Sequence, residues 1–109
     1  MTRLELIRLI GDVLTKVDVL RGSLPADNAD RDELDRLRRK LDRFQLKLAQ
    51  EEFEANTPVF QQAVDDLAAI NRSLRRTINE IDQFVTTMQN LRRFVDAVNR
   101  IVGIVFPLV

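Results

Sequence analysis

Apolar residues recur every three or four positions along most of the chain, and this pattern predicts an all-α protein with three helices. The predicted bounds are about 2–21 for helix 1, about 30–55 for helix 2 and about 58–104 for helix 3, with a loop at 22–29. At 1.5 Å per residue the third helix would be roughly 70 Å long. We expect one helical domain over residues 1–109.

Residues that favour helix ends support these bounds. Thr2 with Glu5 and Asp30 with Glu33 have the three-residue spacing of a capping box. The Thr57-Pro58 pair is predicted to separate helices 2 and 3, because the residue before a proline is disfavoured in a helix and proline suits the first helical position. The link between helices 2 and 3 should therefore be very short, which favours an antiparallel pair.

The widths of the apolar faces indicate how the helices pack. The seam of helix 2 spans only about 80° and needs one neighbour, whereas helix 1 has a face of about 160° and helix 3 widens to about 200° beyond Ile81. We therefore predict an antiparallel helical hairpin with a broken first arm and coiled-coil-like packing. Its open end would be formed by helix 1 and residues 85–106. A compact three-helix bundle is the alternative.

The wide C-terminal face predicts contact with another protein, because a single pair of helices would leave it in water. The predicted interface residues are Phe84, Met88, Leu91, Phe94, Val95, Val98, Ile101, Val102, Val105 and Phe106. The expected function is a non-enzymatic assembly, adaptor or scaffold protein. It would act by homo-oligomerisation or by docking to a helical partner protein.

Asn71 occupies a seam position in helix 3 where an apolar residue is expected. A single polar residue at such a position can set the register and the choice of partner at a cost in stability. Exposure to water is the simpler interpretation, and both remain open.

The composition narrows the candidate chemistry. The chain contains no His, Cys, Tyr or Trp, and its 17 basic residues are balanced by 17 acidic residues. Histidine is the commonest general base, and nucleic-acid binding relies on excess positive charge. We therefore expect no enzyme activity, no small-molecule substrate, no cofactor or metal, and no nucleic-acid partner. The basic clusters at 36–40 and 72–76 are interpreted as solvated, ion-paired faces.

An acidic stretch lies near the end of the predicted helix 2. Glu51, Glu52 and Glu54 resemble the Mg²⁺-binding acidic motif of all-helical nucleotide pyrophosphohydrolases. That resemblance implies a second acidic pair at helical spacing, which Glu80 and Asp82 match poorly. Since Mg²⁺ chemistry needs carboxylates that converge in a cleft, we expect these to point into solvent.

The segment 101–109 carries no charged side chain, and this suggests the alternative function. Inserted into a bilayer interface, it would make the chain a membrane-active protein, either pore-forming or peripherally bound. It is too short to span a membrane as a helix. Charged residues alternate with aliphatic ones from the first turn, so no signal peptide is expected, and the cytoplasm is the default location.

Overall fold

The computed structural model describes residues 1–107, with only the backbone described at Ile81. Over these residues the chain forms four α-helices and no strand, so the predicted all-α class is confirmed and the predicted number of three helices is wrong. The helices are α1 (Arg3–Ser23), α2 (Arg31–Gln50), α3 (Pro58–Thr77) and α4 (Phe84–Val105). A short 3-10 helix, Ile81–Gln83, precedes α4.

The predicted third helix is two helices joined by a tight reversal. Glu80 is extended, with φ −105° and ψ 105°, and its N–H donates to the carbonyl of Thr77 at 2.9 Å. Residues 78–83 include no glycine or proline, so no strong helix breaker marks the reversal. The chain turns back because α4 can then bury its apolar side against α2 and α3, which a straight helix would leave in water.

The second helix ends at Gln50, five residues before the predicted end, and residues 51–57 form a loop. Phe53 lies in this loop. Its ring packs against Phe60 at 5.5 Å and against Phe106 at 5.6 Å between centroids. These contacts account for the early end, because they draw the chain away from the α2 axis. The predicted very short link between the second and third helices is therefore wrong.

The helices run alternately in opposite directions along the bundle. Arg21 near the end of α1 pairs with Asp35 near the start of α2, so these helices are antiparallel. Glu33 pairs with Arg92, both in the first halves of their helices, so α2 and α4 are parallel. The α3–α4 pair forms the second hairpin. The bundle measures 42 × 23 × 20 Å and replaces both the hairpin with a broken first arm and the three-helix alternative.

All four helices contribute to one apolar core. The predicted narrow seam of α2 is confirmed, with its four leucines buried and its phenylalanine half-buried. These residues are Leu34, Leu37, Leu41, Leu48 and Phe44. The largest side chains with no exposed surface are Phe60 of α3 and Phe94 of α4. The core therefore joins both hairpins.

The predicted helix caps have different outcomes. The capping box of α1 is confirmed, since Glu5 N donates to Thr2 Oγ1 at 3.1 Å and Thr2 N to Glu5 Oε1 at 3.2 Å. The cap of α3 by Thr57 is also confirmed. The capping box at Asp30 is wrong: Asp30 makes no side-chain cap bond, and Glu33 pairs with an arginine of α4 instead.

One end of the bundle is tied together by a cluster around Phe53. Arg3 Nε and Nη2 donate to the carbonyls of Leu48 and Ala49 at 3.0 and 2.7 Å, which satisfies acceptors left open in the last turn of α2. The same guanidinium lies 5.9 Å from the centroid of the Phe53 ring, and that ring contacts Phe106. Phe53 thus connects the first turn of α1 with the end of α4.

Two ion pairs between helices predict a dependence of stability on pH. A hydrogen bond from Arg38 lowers the pKa of Asp18, and a hydrogen bond from Arg92 lowers the pKa of Glu33. A carboxyl with a lower pKa in the folded state stabilises the fold above its unfolded pKa and loses that effect as the pH falls through the folded pKa. The free energy of unfolding should therefore fall as the pH drops from about 5 to about 2.

The double variant D18N/E33Q isolates this effect. Its acid limb should be flatter than that of the wild type in urea titrations at several pH values, and it should lose about 1 kcal/mol or less at neutral pH, since both pairs are partly exposed. D42N/D65N removes two exposed carboxyls that have no ion pair and serves as the control. Equal flattening in both double variants would contradict the assignment.

Candidate interaction surface

The predicted interface residues lie mostly inside the chain's own core. Six of them are at most 2% exposed: Met88, Leu91, Phe94, Val95, Val98 and Ile101. The other four are half-buried against the same core: Phe84, Val102, Val105 and Phe106. Most of this face is covered by α2 and α3 of the same chain, so little of it is left for a partner.

The end of the predicted apolar tail is also occupied within the chain. The ring of Phe106 packs against Phe53, and Lys47 Nζ lies 5.0 Å from its centroid. Leu108 and Val109, which belong to the same predicted tail, lie outside the described residues. None of the helices described in residues 1–107 has the length and apolar character needed to cross a membrane.

Asn71 is 8% exposed in the middle of α3. Its amide makes no hydrogen bond to any other described side chain or backbone group. Its burial among the core positions of α3 places it on the seam, as its spacing predicts. A role in setting the register remains a prediction.

Five large apolar side chains are exposed on the described surface: Leu4, Val19, Leu46, Val59 and Val85, at 55–70% exposure. Val19 lines a hollow of about 230 Å³ with Leu20, Ile78 and the polar side chains of Lys16, Ser23 and Asn79. Val59 lines a larger groove between the start of α3 and the end of α4 together with Pro58, Ala63 and Ile104. This groove has a volume of about 380 Å³.

A second hollow of about 260 Å³ continues the groove along the same two helices. It adds Ile70 of α3 and Ala97 of α4 to the lining, and it shares Ala63 with the first hollow. The two hollows form one surface, which we call the α3–α4 groove. Its floor is apolar around Val59 and Ile104, and its lining includes two alanines, whose short side chains allow another helix to approach closely.

Four charged side chains border the α3–α4 groove: Asp66, Arg93, Asp96 and Arg100. All four are exposed, and none forms an ion pair within 4.0 Å with another described residue. Asp66 accepts one hydrogen bond, from Gln62 Nε2 at 3.1 Å. The groove therefore has two acidic and two basic groups without an ion pair among the described residues.

The acidic residues that resemble a Mg²⁺ motif are not brought together. Glu51 pairs with Lys47 at 3.0 Å, and Glu54 accepts a hydrogen bond from the backbone of Asn56. Over residues 1–107 no three acidic side chains come close enough together to hold a metal ion. The partners of Glu51 and Glu54 are thus near neighbours in the sequence, in or next to the loop between α2 and α3.

The α3–α4 groove contains residues that the apolar pattern does not single out as an interface. Val59 follows Pro58 at the start of a helix, and Ala63 and Ala97 are too small to dominate a periodic pattern. Ile104 lies in the predicted apolar tail but outside the predicted interface set. The sequence does contain small residues beside charges of both signs. This pattern can be recognised as a surface only when the pairing of α3 with α4 is known.

Comparisons with models of protein families, with curated proteins and with solved structures found no match to this chain.

Proposed function

We propose that this chain is a non-enzymatic assembly protein that pairs with a second copy of itself through the α3–α4 groove. The observation that carries the proposal is the exposure of Val59, at 60%, beside Ile104 in a groove with an apolar floor. Burying such side chains against a partner removes apolar surface from water, which favours association.

The unmatched charges indicate which partner fits the groove. Two acidic and two basic groups border it, and none of the four forms an ion pair with another residue in the range 1–107 that the structure describes. In an interface with two-fold symmetry, a residue of one copy that contacts a second residue of the other copy is matched by the reverse contact, so each pair occurs twice. Asp66 or Asp96 of one copy would then meet Arg100 or Arg93 of the other. Such a surface is electrostatically complementary to itself.

The dimensions of the bundle are compatible with a dimer of this kind. The body measures 42 × 23 × 20 Å, so one side has about the 800 Å² per partner that a standard interface buries. The core of a single chain is already closed, because α4 is buried by α2 and α3. Association would therefore join folded chains and would depend on concentration.

Replacing Val59 by aspartate should weaken this association strongly. Sedimentation equilibrium over a range of concentrations should show dimers of the wild-type chain and a loss of affinity of at least about tenfold for V59D, since the substitution would bury a charge in the groove. V85D is the matched control. Val85 is 70% exposed and, like Val59, is the second residue of its helix, so aspartate affects both helix ends alike.

A wild-type chain that stays monomeric at the highest concentrations would refute the proposal, as would equal losses in V59D and V85D.

Charge reversal then tests whether the partner is a second copy of the chain. R93D/R100D leaves only acidic groups around the groove, and D66R/D96R leaves only basic ones. Each variant alone should associate less than the wild type, whereas an equimolar mixture should form heterodimers. Failure of the mixture to associate would exclude a second copy as the occupant.

A further inference from the structure

The outward side of α2 carries a row of basic side chains. Arg36, Arg39, Lys40 and Arg43 are all exposed and follow the spacing i, i+3, i+4 and i+7. This spacing places them within about 100° of the helix circumference, over roughly 10 Å of its length. We call this surface the α2 basic face.

These four bases differ from the other arginines at the helix contacts. Arg21, Arg38 and Arg92 each pair with a carboxylate of another helix, namely Asp35, Asp18 and Glu33. No described carboxylate lies within 4.0 Å of the basic nitrogens of the α2 basic face. Of the bases in the 36–40 cluster, only Arg38 has the ion pair expected from the sequence. The α2 basic face thus has local positive charge on a chain with no net charge.

The shape of this face argues against a site for one small anion. The bases surround a shallow hollow of about 450 Å³, and all the residues that line it, including Asp42, belong to α2. Lys40 and Arg43 also line a smaller hollow with Phe44 and with Val95, Asp96 and Asn99 of α4, where the carboxylate of Asp96 disfavours a bound anion. A convex row of long, flexible cations suits a broad surface with many mobile negative groups.

An apolar side chain stands on the same outward side. Leu46 is 56% exposed and lies three residues after Arg43. Basic side chains beside an exposed leucine are the combination by which a helix lies in the headgroup region of an anionic membrane. Single-stranded nucleic acid binds by stacking its bases on exposed aromatic rings, and Phe44, which lines a hollow beside Lys40 and Arg43, has only part of its ring free because it is half-buried against the core.

We propose that the α2 basic face binds the surface of a membrane that contains anionic phospholipids, with Leu46 entering the headgroup layer. The phosphate and carboxylate groups of the lipids are the ligands of the four bases. The helix stays in the bundle and lies flat on the surface. The four bases do not line the α3–α4 groove, although Asp96 borders both that groove and a hollow beside Lys40 and Arg43, so a dimer would present two such faces.

Vesicle co-sedimentation tests the proposal. The full chain is mixed with vesicles of phosphatidylcholine and phosphatidylserine, or of phosphatidylcholine alone, at low and at physiological salt. We expect binding to the anionic vesicles only, weaker at the higher salt. Each base near such a surface contributes about a fivefold gain, so R36Q/R39Q/R43Q should bind about 100-fold more weakly.

The variant R72Q/R75Q/R76Q is the matched control, because it removes the same charge from three exposed positions of α3, outside the α2 basic face. It should bind as the wild type does, whereas L46S should bind more weakly. Repeating the series in V59D separates membrane binding from self-association.

Three results would overturn the proposal. They are a wild-type chain that does not bind anionic vesicles at low salt, equal losses in the two triple variants, and binding that does not respond to salt. An acidic protein partner would be indicated if the α2 basic face proved inert toward vesicles but bound a polyglutamate probe.

Discussion

Truncation of Phe94 to alanine is expected to lower the free energy of unfolding by about 3–5 kcal/mol, which is a large part of the stability of a small domain. Phe94 has no exposed surface and lies among the core residues of α4. Removing its ring would leave a cavity that the surrounding helices can fill only in part. Urea unfolding followed by circular dichroism measures the change.

The same experiment decides whether Phe94 acts in the core or at an interface. A core role predicts the same loss at every protein concentration, whereas an interface role predicts a loss that shrinks on dilution. Phe84→Ala makes the same truncation at a half-buried position of the same helix and should cost less. A loss for Phe94→Ala below that for Phe84→Ala would contradict the packing described for α4.

Replacing Thr87 by valine should raise the free energy of unfolding by about 1–3 kcal/mol. Thr87 is 1% exposed, and its hydroxyl has no hydrogen-bond partner among the described residues. A buried polar group without a partner costs the free energy of removing it from water, and valine has the same branched shape without that group. Thermal and urea unfolding should both report the gain.

Thr86 provides the control for this substitution, because it is the adjacent residue of α4 and is exposed. Thr86→Val replaces the same hydroxyl by a methyl group, but at a position in contact with water, and should change the free energy of unfolding by less than about 0.5 kcal/mol. If Thr87→Val is neutral or destabilising, the hydroxyl has a partner in solution, such as a bound water molecule.

The features set by local sequence could be predicted. The leucine seam of α2 follows from the spacing of three and four, and the caps at Thr2 and Thr57 follow from side chains that satisfy free N–H groups at helix starts. The positions of α1 and α2 in the chain were therefore recognisable. The capping box predicted at Asp30 does not form, because Glu33 pairs with Arg92 of a helix distant in sequence.

The reversal at Glu80 could not be predicted from breaker residues, since residues 78–83 include neither glycine nor proline. One signal was present. At 100° per residue, the core seams of α3 and α4 point about half a turn apart. The apolar face therefore changes direction near Ile81, which is better explained as two helices than as one. Val85 continues the α3 direction and is 70% exposed.

The α3–α4 groove depends on that reversal. Val59 and Ile104 line the same hollow although 45 positions separate them in the sequence. Periodicity describes one helix at a time and does not show which faces meet. The sequence therefore predicted a C-terminal surface, whereas most of that surface is core and the remaining groove needs residues from both helices.

The contacts of Phe53 have a consequence for proteolysis. This side chain joins Arg3 at the start of α1 to Phe106 at the end of α4, although it belongs to the loop between α2 and α3. A protease cut beside Phe53 would free the ring from both contacts. The first turn of α1 and the last turn of α4 would then fray together. A cut in the middle of the chain would therefore loosen its first and last helices.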